Sequence, residues 1–122
     1  DWFGVKQIIC SPQTVDIFNM KVVQSSMGSL FRVNINYIDL IKYLSSHKER
    51  TIYGSSLGGL AVSEAQIDKN GIIIFGNESN GISKQLIPYI TDNITIDGKN
   101  KNNVDSLNVA TAVAIILHSF NS

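Results

Sequence analysis

The sequence is poor in several things at once. It has one cysteine, Cys10, which excludes an internal disulfide and a multi-cysteine metal site and suits a reducing compartment. It has no excess charge of either sign: ten Lys and Arg stand against ten Asp and Glu. That balance supplies no general attraction to polyanions, so binding of that kind needs a local basic patch or help from elsewhere. Long hydrophobic runs are missing too. Ile72–Phe75 and Val113–Leu117 are the longest, far too short to cross a bilayer, and nothing at the front reads as a secretory leader.

What remains is a chain of 122 residues, 43% hydrophobic and 16% charged. This suits one globular domain, 1–122, with one core; it is too short for two. Asp1-Trp2-Phe3-Gly4 reads as the tail of a helix whose start is absent, with Gly4 as its stop.

Val5–Cys10 is β-rich and closes at Ser11-Pro12, which predicts a strand. Tyr37–His47 has apolar residues at helical spacing. Thr51–Gly54 predicts a short strand entering a Gly/Ser loop, Gly54–Gly59. Gly71–Phe75 is an uninterrupted Ile-rich run, as expected of a central parallel strand buried on both faces. A short helix over Ser83–Ile90, a strand over Asn93–Ile96, a polar loop over Asp97–Asp105 and a last helix over Ser106–Phe120 complete the chain. Strands alternating with helices imply an α/β domain with a mainly parallel sheet and flanking helices. The last helix is apolar nearly all round: Leu107, Ala110, Val113, Ala114, Leu117 and Phe120 make one stripe, and Val109, Ala112, Ile115 and Ile116 fill most of the rest. Such a helix has to be covered on more than one side. A partner subunit is the expected second cover, with Val109, Ala112, Val113, Ile116 and Phe120 in the contact.

Chemistry is sought first at Phe75-Gly76-Asn77-Glu78-Ser79-Asn80-Gly81-Ile82-Ser83, which follows a buried strand. Ligands of open α/β sheets bind just beyond such strand ends. Gly76 and Gly81 permit backbone conformations and close approaches that a Cβ forbids. Glycine-rich turns of this kind are also common connectors, and this one matches neither GxGxxG nor GxxxxGK[ST]. The second segment is Ser106-Leu107-Asn108. Ser106 is a good helix N-cap, which alone explains it; Asn108, one turn in, is less expected because Asn is a mediocre helix former. The Gly54–Gly59 loop is the third. His47 and His118 lack partners at ligand spacing, Lys99 and Lys101 read as a solvated loop, and Cys10 reads as a small buried hydrophobe.

Three segments, taken together and in this order, resemble the SpoU family of RNA methyltransferases within the SPOUT superfamily. Ser25-Ser26-Met27-Gly28-Ser29-Leu30-Phe31-Arg32 resembles the family's Ser-x-Gly-x-Leu-Phe segment. Ile74–Ile82 resembles its second motif, a strand followed by Gly-x-Glu-x-x-Gly. Ile94-Thr95-Ile96 followed by Ser106–Ala112 resembles its third, with Asp97 where the family usually has proline. The family's first motif, with an Asn and an Arg, would lie just upstream of Asp1, so the domain is expected to lack its first strand and motif.

The resemblance implies an α/β trefoil-knot fold, a homodimer, a cytoplasmic protein, and S-adenosylmethionine as cofactor, with no metal. It implies methyl transfer to a ribose 2′-hydroxyl of tRNA or rRNA. Gly54, Gly76, Ile96 and Leu107 would line the cofactor pocket, while Glu78, Ser106 and Asn108 would order it and position the nucleophile. Without the upstream Arg, the chain alone is expected to be inactive. Two other readings are a non-catalytic knotted dimer that binds RNA or S-adenosylmethionine, and a dehydrogenase-type nucleotide-binding module. The latter lacks its phosphate-loop glycines.

Overall fold

A computed structural model describes residues 1–99 and 106–122. It falls into two compact units, Asp1–Ser46 and His47–Ser122.

In the first unit, β1 (Gln7–Cys10) pairs in parallel with β2 (Asn34–Tyr37), Gln7 opposite Asn34 and Cys10 opposite Tyr37. The connection carries α1 (Met20–Ser26), followed by a 3-10 turn at Ser29–Phe31. α2 (Leu40–Ser45) follows β2. Val33 and Leu44 are the buried apolar residues here. α1 starts where Asn19 accepts a hydrogen bond from Lys21 N, and it ends at Met27, whose φ is +49°. α2 starts where Asp39 accepts from Ile41 N and Lys42 N. The helix expected over Tyr37–His47 is therefore shorter at both ends. Tyr37 belongs to β2, because the Asp39 cap breaks the run before the helix opens. Asp1–Gly4 forms a single turn, Gly4 N donating to Asp1 O at 3.0 Å.

The second unit is built on a parallel sheet ordered β4-β3-β5, with β3 at Ile52–Ala61, β4 at Ile72–Ile74 and β5 at Asp92–Thr95. Two expectations are corrected. The Ile-rich run is at the end of this sheet rather than its centre; β3 takes the centre, with Ile52, Tyr53 and Gly54 buried while Ile72 and Ile73 are half-buried. The Gly/Ser segment Gly54–Gly59 is not a loop that ends the strand. It lies within β3, where Ser55 and Leu60 both pair with Ile94, so residues 56–59 form an exposed excursion between two stretches of ladder.

Ser83–Ile90 is also corrected. It is a turn followed by a 3-10 turn at Ile87–Tyr89. Pro88 lacks the N–H a continued α-helix would need, and its ring opposes one more α turn. The loop expected over Asp97–Asp105 falls in part on residues 100–105, outside the described residues, as does Lys101.

The core of this unit gathers Tyr53, Val62, Ile94, Ile116 and Phe120, with Ile73, Phe75 and Ile96 packed against it. Tyr53 and Phe120 meet edge to face, ring centres 5.3 Å apart, a geometry aromatic rings favour. α3 (Val109–Asn121) thus turns Ile116 and Phe120 into the chain's own core. Ala110, Thr111, Ala114 and Ile115 face outward.

Candidate functional site

The three strands of the second unit run parallel, so their C-terminal ends share one edge. From that edge come the excursion after Ser55, the loop after β4 beginning at Phe75-Gly76, and the segment after Thr95 that begins at Ile96 and leads on to α3. Gly54, Gly76, Ile96, Glu78, Ser106, Leu107 and Asn108 all belong to this unit. Crevices at such edges are where open parallel sheets hold ligands.

Each glycine has its own steric reason. A Cβ on Gly54 would stand 2.7 Å from Ile90 Cδ1 and 3.0 Å from Asn93 Oδ1. One on Gly59, whose φ is +149°, would meet Asn93 O at 2.4 Å. Gly54 and Gly59 therefore let the strand lie against β5. At Gly76 a Cβ would fall 2.1 Å from Gly81 C and 2.3 Å from Ile82 N. The group that comes so close is the chain itself. Asn77 and Gly81 form an antiparallel bridge, with Asn77 N donating to Gly81 O at 3.0 Å and Gly81 N to Asn77 O at 2.8 Å. Asn77 Oδ1 also accepts from Ser79 N and Asn80 N, at 2.8 and 3.3 Å. Gly81 has φ +67°, which an L side chain rarely adopts. The result is a self-closed five-residue hairpin that carries Glu78, exposed, on its rim.

Asn77 went unnoticed in the sequence. The signal was there: an Asn whose side chain can bond the backbone two and three residues on, followed by a glycine four residues later.

The start of α3 is where sequence and structure part most clearly. The N-cap is Asn108, not Ser106: Asn108 Oδ1 accepts from Ala110 N at 2.9 Å. Asn is among the strongest N-cap residues, which resolves the oddity of an Asn inside a helix. Ser106, Leu107 and Asn108 are all exposed, Leu107 by 47%, and Ile96 is half-buried. Asn108 commits its side-chain oxygen to the cap and leaves its NH₂ group as the donor it can offer outward.

A cleft of about 440 Å³ lined by Lys48, Ile52, Pro88, Tyr89 and Thr91 opens where β3 and β5 begin, the opposite end of the sheet. In the first unit, Asp1 Oδ2 accepts from Arg32 Nε at 2.7 Å and from Ser29 Oγ at 2.8 Å. Cys10 is half-buried, and that burial pushes its thiol pKa up. His47 lies just beyond α2 and His118 in the last turn of α3. Among the described residues no three His, Cys, Asp or Glu side chains group as metal ligands would, and no helix is long and apolar enough to cross a membrane.

Comparison with known proteins agrees with this geometry. The SpoU rRNA Methylase family model matches residues 1–118. The 23S rRNA (guanosine(2553)-2′-O)-methyltransferase RlmP of Bacillus subtilis is 28% identical over 121 residues, covering 97% of this chain and 48% of its own length. The structure of a candidate TrmH-family RNA methyltransferase from Porphyromonas gingivalis superposes with a TM-score of 0.88 at 34% identity, over 98% of this chain and 50% of that one. An AdoMet-bound rRNA methyltransferase from Sinorhizobium meliloti superposes at 0.85 with 24% identity, over 98% and 46%. The chain therefore spans about half the length of the relatives it matches. Its fold is the α/β trefoil-knot type of the SpoU and TrmH methyltransferases. With the family model covering nearly every residue, this chain belongs to the SpoU rRNA methylase family.

Proposed function

We propose that this chain is the cofactor-binding part of an S-adenosylmethionine-dependent enzyme that methylates a ribose 2′-hydroxyl of tRNA or rRNA, acting as a cytoplasmic homodimer. The observation that carries this reading is that three segments, after Ser55, Ile74 and Thr95, leave the C-terminal edge of one parallel sheet, in a chain of this family. The relative from B. subtilis is named for 2′-O-methylation of 23S rRNA, and the S. meliloti protein was solved with AdoMet bound.

The edge fits such a cofactor in kind. Gly54 and Gly76 let the strand end and the hairpin after β4 pack closely there, so no side chain at either position stands in the way of a ligand. Half-buried Ile96 and exposed Leu107 offer apolar surface to a purine ring, and backbone groups of the three loops are left for its polar edge. The bound cofactor would supply an activated methyl on a sulfonium. The chain's own residues then have to hold and orient the acceptor. Asn108, fixed by its cap, presents an NH₂ donor. Ser106 and the exposed carboxyl of Glu78 would serve beside it as positioning groups.

Removal of the hydroxyl proton needs a positioned base. Ser106 and Asn108 are not bases, and Glu78 is proposed only as a positioning group, so the 122 residues alone are expected to transfer little methyl. The dimer is supported by the outward apolar strip Ala110, Ala114 and Ile115 on α3. The test is transfer of labelled methyl to ribosomal and transfer RNA, followed by digestion to nucleosides. The chain is compared with a chimera in which it replaces the matching half of the B. subtilis relative. Label on a 2′-O-methyl nucleoside with the chimera is expected. Label on a base overturns the assigned reaction. A chimera that binds S-adenosylmethionine yet stays inactive favours a binding module.

A further inference from the structure

The sequence holds two Asn-Gly pairs, Asn70-Gly71 and Asn80-Gly81. In such a pair the backbone nitrogen of the glycine can attack Cγ of the asparagine. The new N–C bond closes a succinimide, and the side-chain nitrogen leaves as ammonia. One water then opens the ring at either carbonyl, leaving aspartate or isoaspartate. No oxidant, metal or enzyme is needed. Glycine is the favourable neighbour because no Cβ shields its nitrogen.

The fold treats the two pairs differently. Gly71 is half-buried, and a Cβ there would sit 2.6 Å from the Tyr53 ring and 2.9 Å from Asp68 O. Arg50 clamps the same backbone: Nε donates to Asn70 O at 2.6 Å and an NH₂ group donates to Gly71 O at 3.3 Å. Asn70 N is tied to Asp68 Oδ1 at 2.9 Å and Gly71 N to Asp68 O at 2.9 Å. Freeing the Gly71 nitrogen therefore disrupts several bonds and a packed contact.

Asn80 N has a comparable bond, to Asn77 Oδ1 at 3.3 Å, but among the described residues no arginine clamps the Asn80-Gly81 backbone. Every residue from Asn77 to Gly81 is exposed, and space around the Gly81 Cβ position is open to 4 Å. Among the described residues, the Gly81 nitrogen is held by Asn77 O alone, at 2.8 Å, within a five-residue hairpin. Opening that hairpin uncovers no core. Local openings of this kind lie at the cheap end of a protein's range.

We propose that Asn80 is a site of spontaneous deamidation and isomerisation in the loop after β4, and that Arg50 protects Asn70 from the same chemistry. The modification changes the hairpin in two ways. It places a carboxylate two residues from Glu78. As isoaspartate, it also inserts a methylene into the main chain next to Gly81, whose N–H and C=O make both bonds to Asn77. An aged molecule would lose the bridge that closes this loop. A further loss of cofactor binding would rest on the function proposed above; the chemistry itself does not.

The test is incubation of the chain in mildly alkaline buffer at body temperature, folded and in denaturant. Digestion, mass spectrometry and enzymatic labelling of isoaspartyl carboxyls follow. In the folded chain the Asn80 peptide should convert several-fold faster than the Asn70 peptide; in denaturant the two should run at similar rates. Arg50→Ala should accelerate Asn70 and leave Asn80 unchanged. Equal rates in the folded chain, or an Asn80 that stays intact while the denatured control reacts, would overturn the proposal. Equal acceleration of both sites by Arg50→Ala would overturn the protective role of Arg50.

Discussion

Asn108 accepts the backbone hydrogen bond of Ala110 at 2.9 Å and so closes the first turn of α3. The same side chain is the one proposed to position the acceptor hydroxyl, and the two duties separate by substitution. Asn108→Ala removes both and should cost about 1 kcal/mol of stability. Asn108→Asp keeps the cap, because a carboxylate accepts as well as an amide oxygen, but it removes the NH₂ donor. Thermal unfolding of the two variants, alongside methyl transfer by the chimera, is the measurement. Asp should retain the wild-type midpoint and lose activity. An active Asp variant would leave Asn108 as a cap and nothing more.

The outward strip of α3 gives the second prediction. Ile116 is 0% exposed and packs with Tyr53, Ile94 and Phe120, so it cannot also lie in a subunit contact. Ile116→Ala should cost roughly 2–5 kcal/mol by leaving a cavity. Ala114→Asp and Ile115→Asp, on the outer side, should instead halve the mass seen by light scattering while keeping the far-ultraviolet dichroism. Dimers that survive both outer substitutions would move the interface off this helix.

Much of the second unit was legible in the sequence. Ile72–Ile74 and the Asn93–Ile96 run are β-branched and announce themselves as strands, and α3 announces itself by its length and apolar content. The missed features have different causes, and at Gly54–Gly59 a local signal is outvoted by a partner far away in sequence. The glycines of Gly54–Gly59 look like a loop. They remain in β3 because β5 lies so close that a side chain at 54 or 59 would strike Ile90 or Asn93. Ser106 looked like the cap because it precedes the apolar stripe, yet the first helical turn closes on Asn108. In the first unit α1 gives little signal, since Met20–Ser26 is two turns long and buries none of its residues. The proposed site residues come chiefly from motif order; periodicity alone points to the strand end and no further.

Met27 provides a third prediction. It ends α1 with φ +49° and a side chain that is 87% exposed. A left-handed backbone costs a non-glycine residue roughly 1–2 kcal/mol, and no buried contact of this side chain offsets it. Met27→Gly should raise stability despite the added freedom of the unfolded chain, which returns roughly 0.5–1 kcal/mol. The net gain is a fraction of a kcal/mol to about 1 kcal/mol, read as a shift in the urea midpoint. A lower midpoint would mean that the Met27 side chain makes a stabilising contact.

Gly76 allows the sharpest separation of structure from ligand. Its missing side chain makes room for the carbonyl carbon of Gly81, 2.1 Å from where a Cβ would stand. Backbone cannot retreat as the end of a flexible side chain can, so even Gly76→Ala must push the Asn77–Gly81 hairpin open. The bridge between Asn77 and Gly81 should break, and the Gly81 amide should lose its protection from hydrogen exchange. Gly58 is the matched control. It lies on the excursion of β3, with open space to 4 Å around its Cβ position, so Gly58→Ala should leave the fold as it was. Titration calorimetry with S-adenosylmethionine then discriminates. Gly76→Ala should abolish or strongly weaken binding, with the core of the second unit still folded, because the loop after β4, proposed to border the cofactor, is displaced. Gly58→Ala should bind within a few-fold of wild type unless the ligand itself fills that space. Tight binding by Gly76→Ala, with the Gly81 amide exchanging freely, would show that the cofactor does not depend on the loop after β4, and the assignment of this edge would fall.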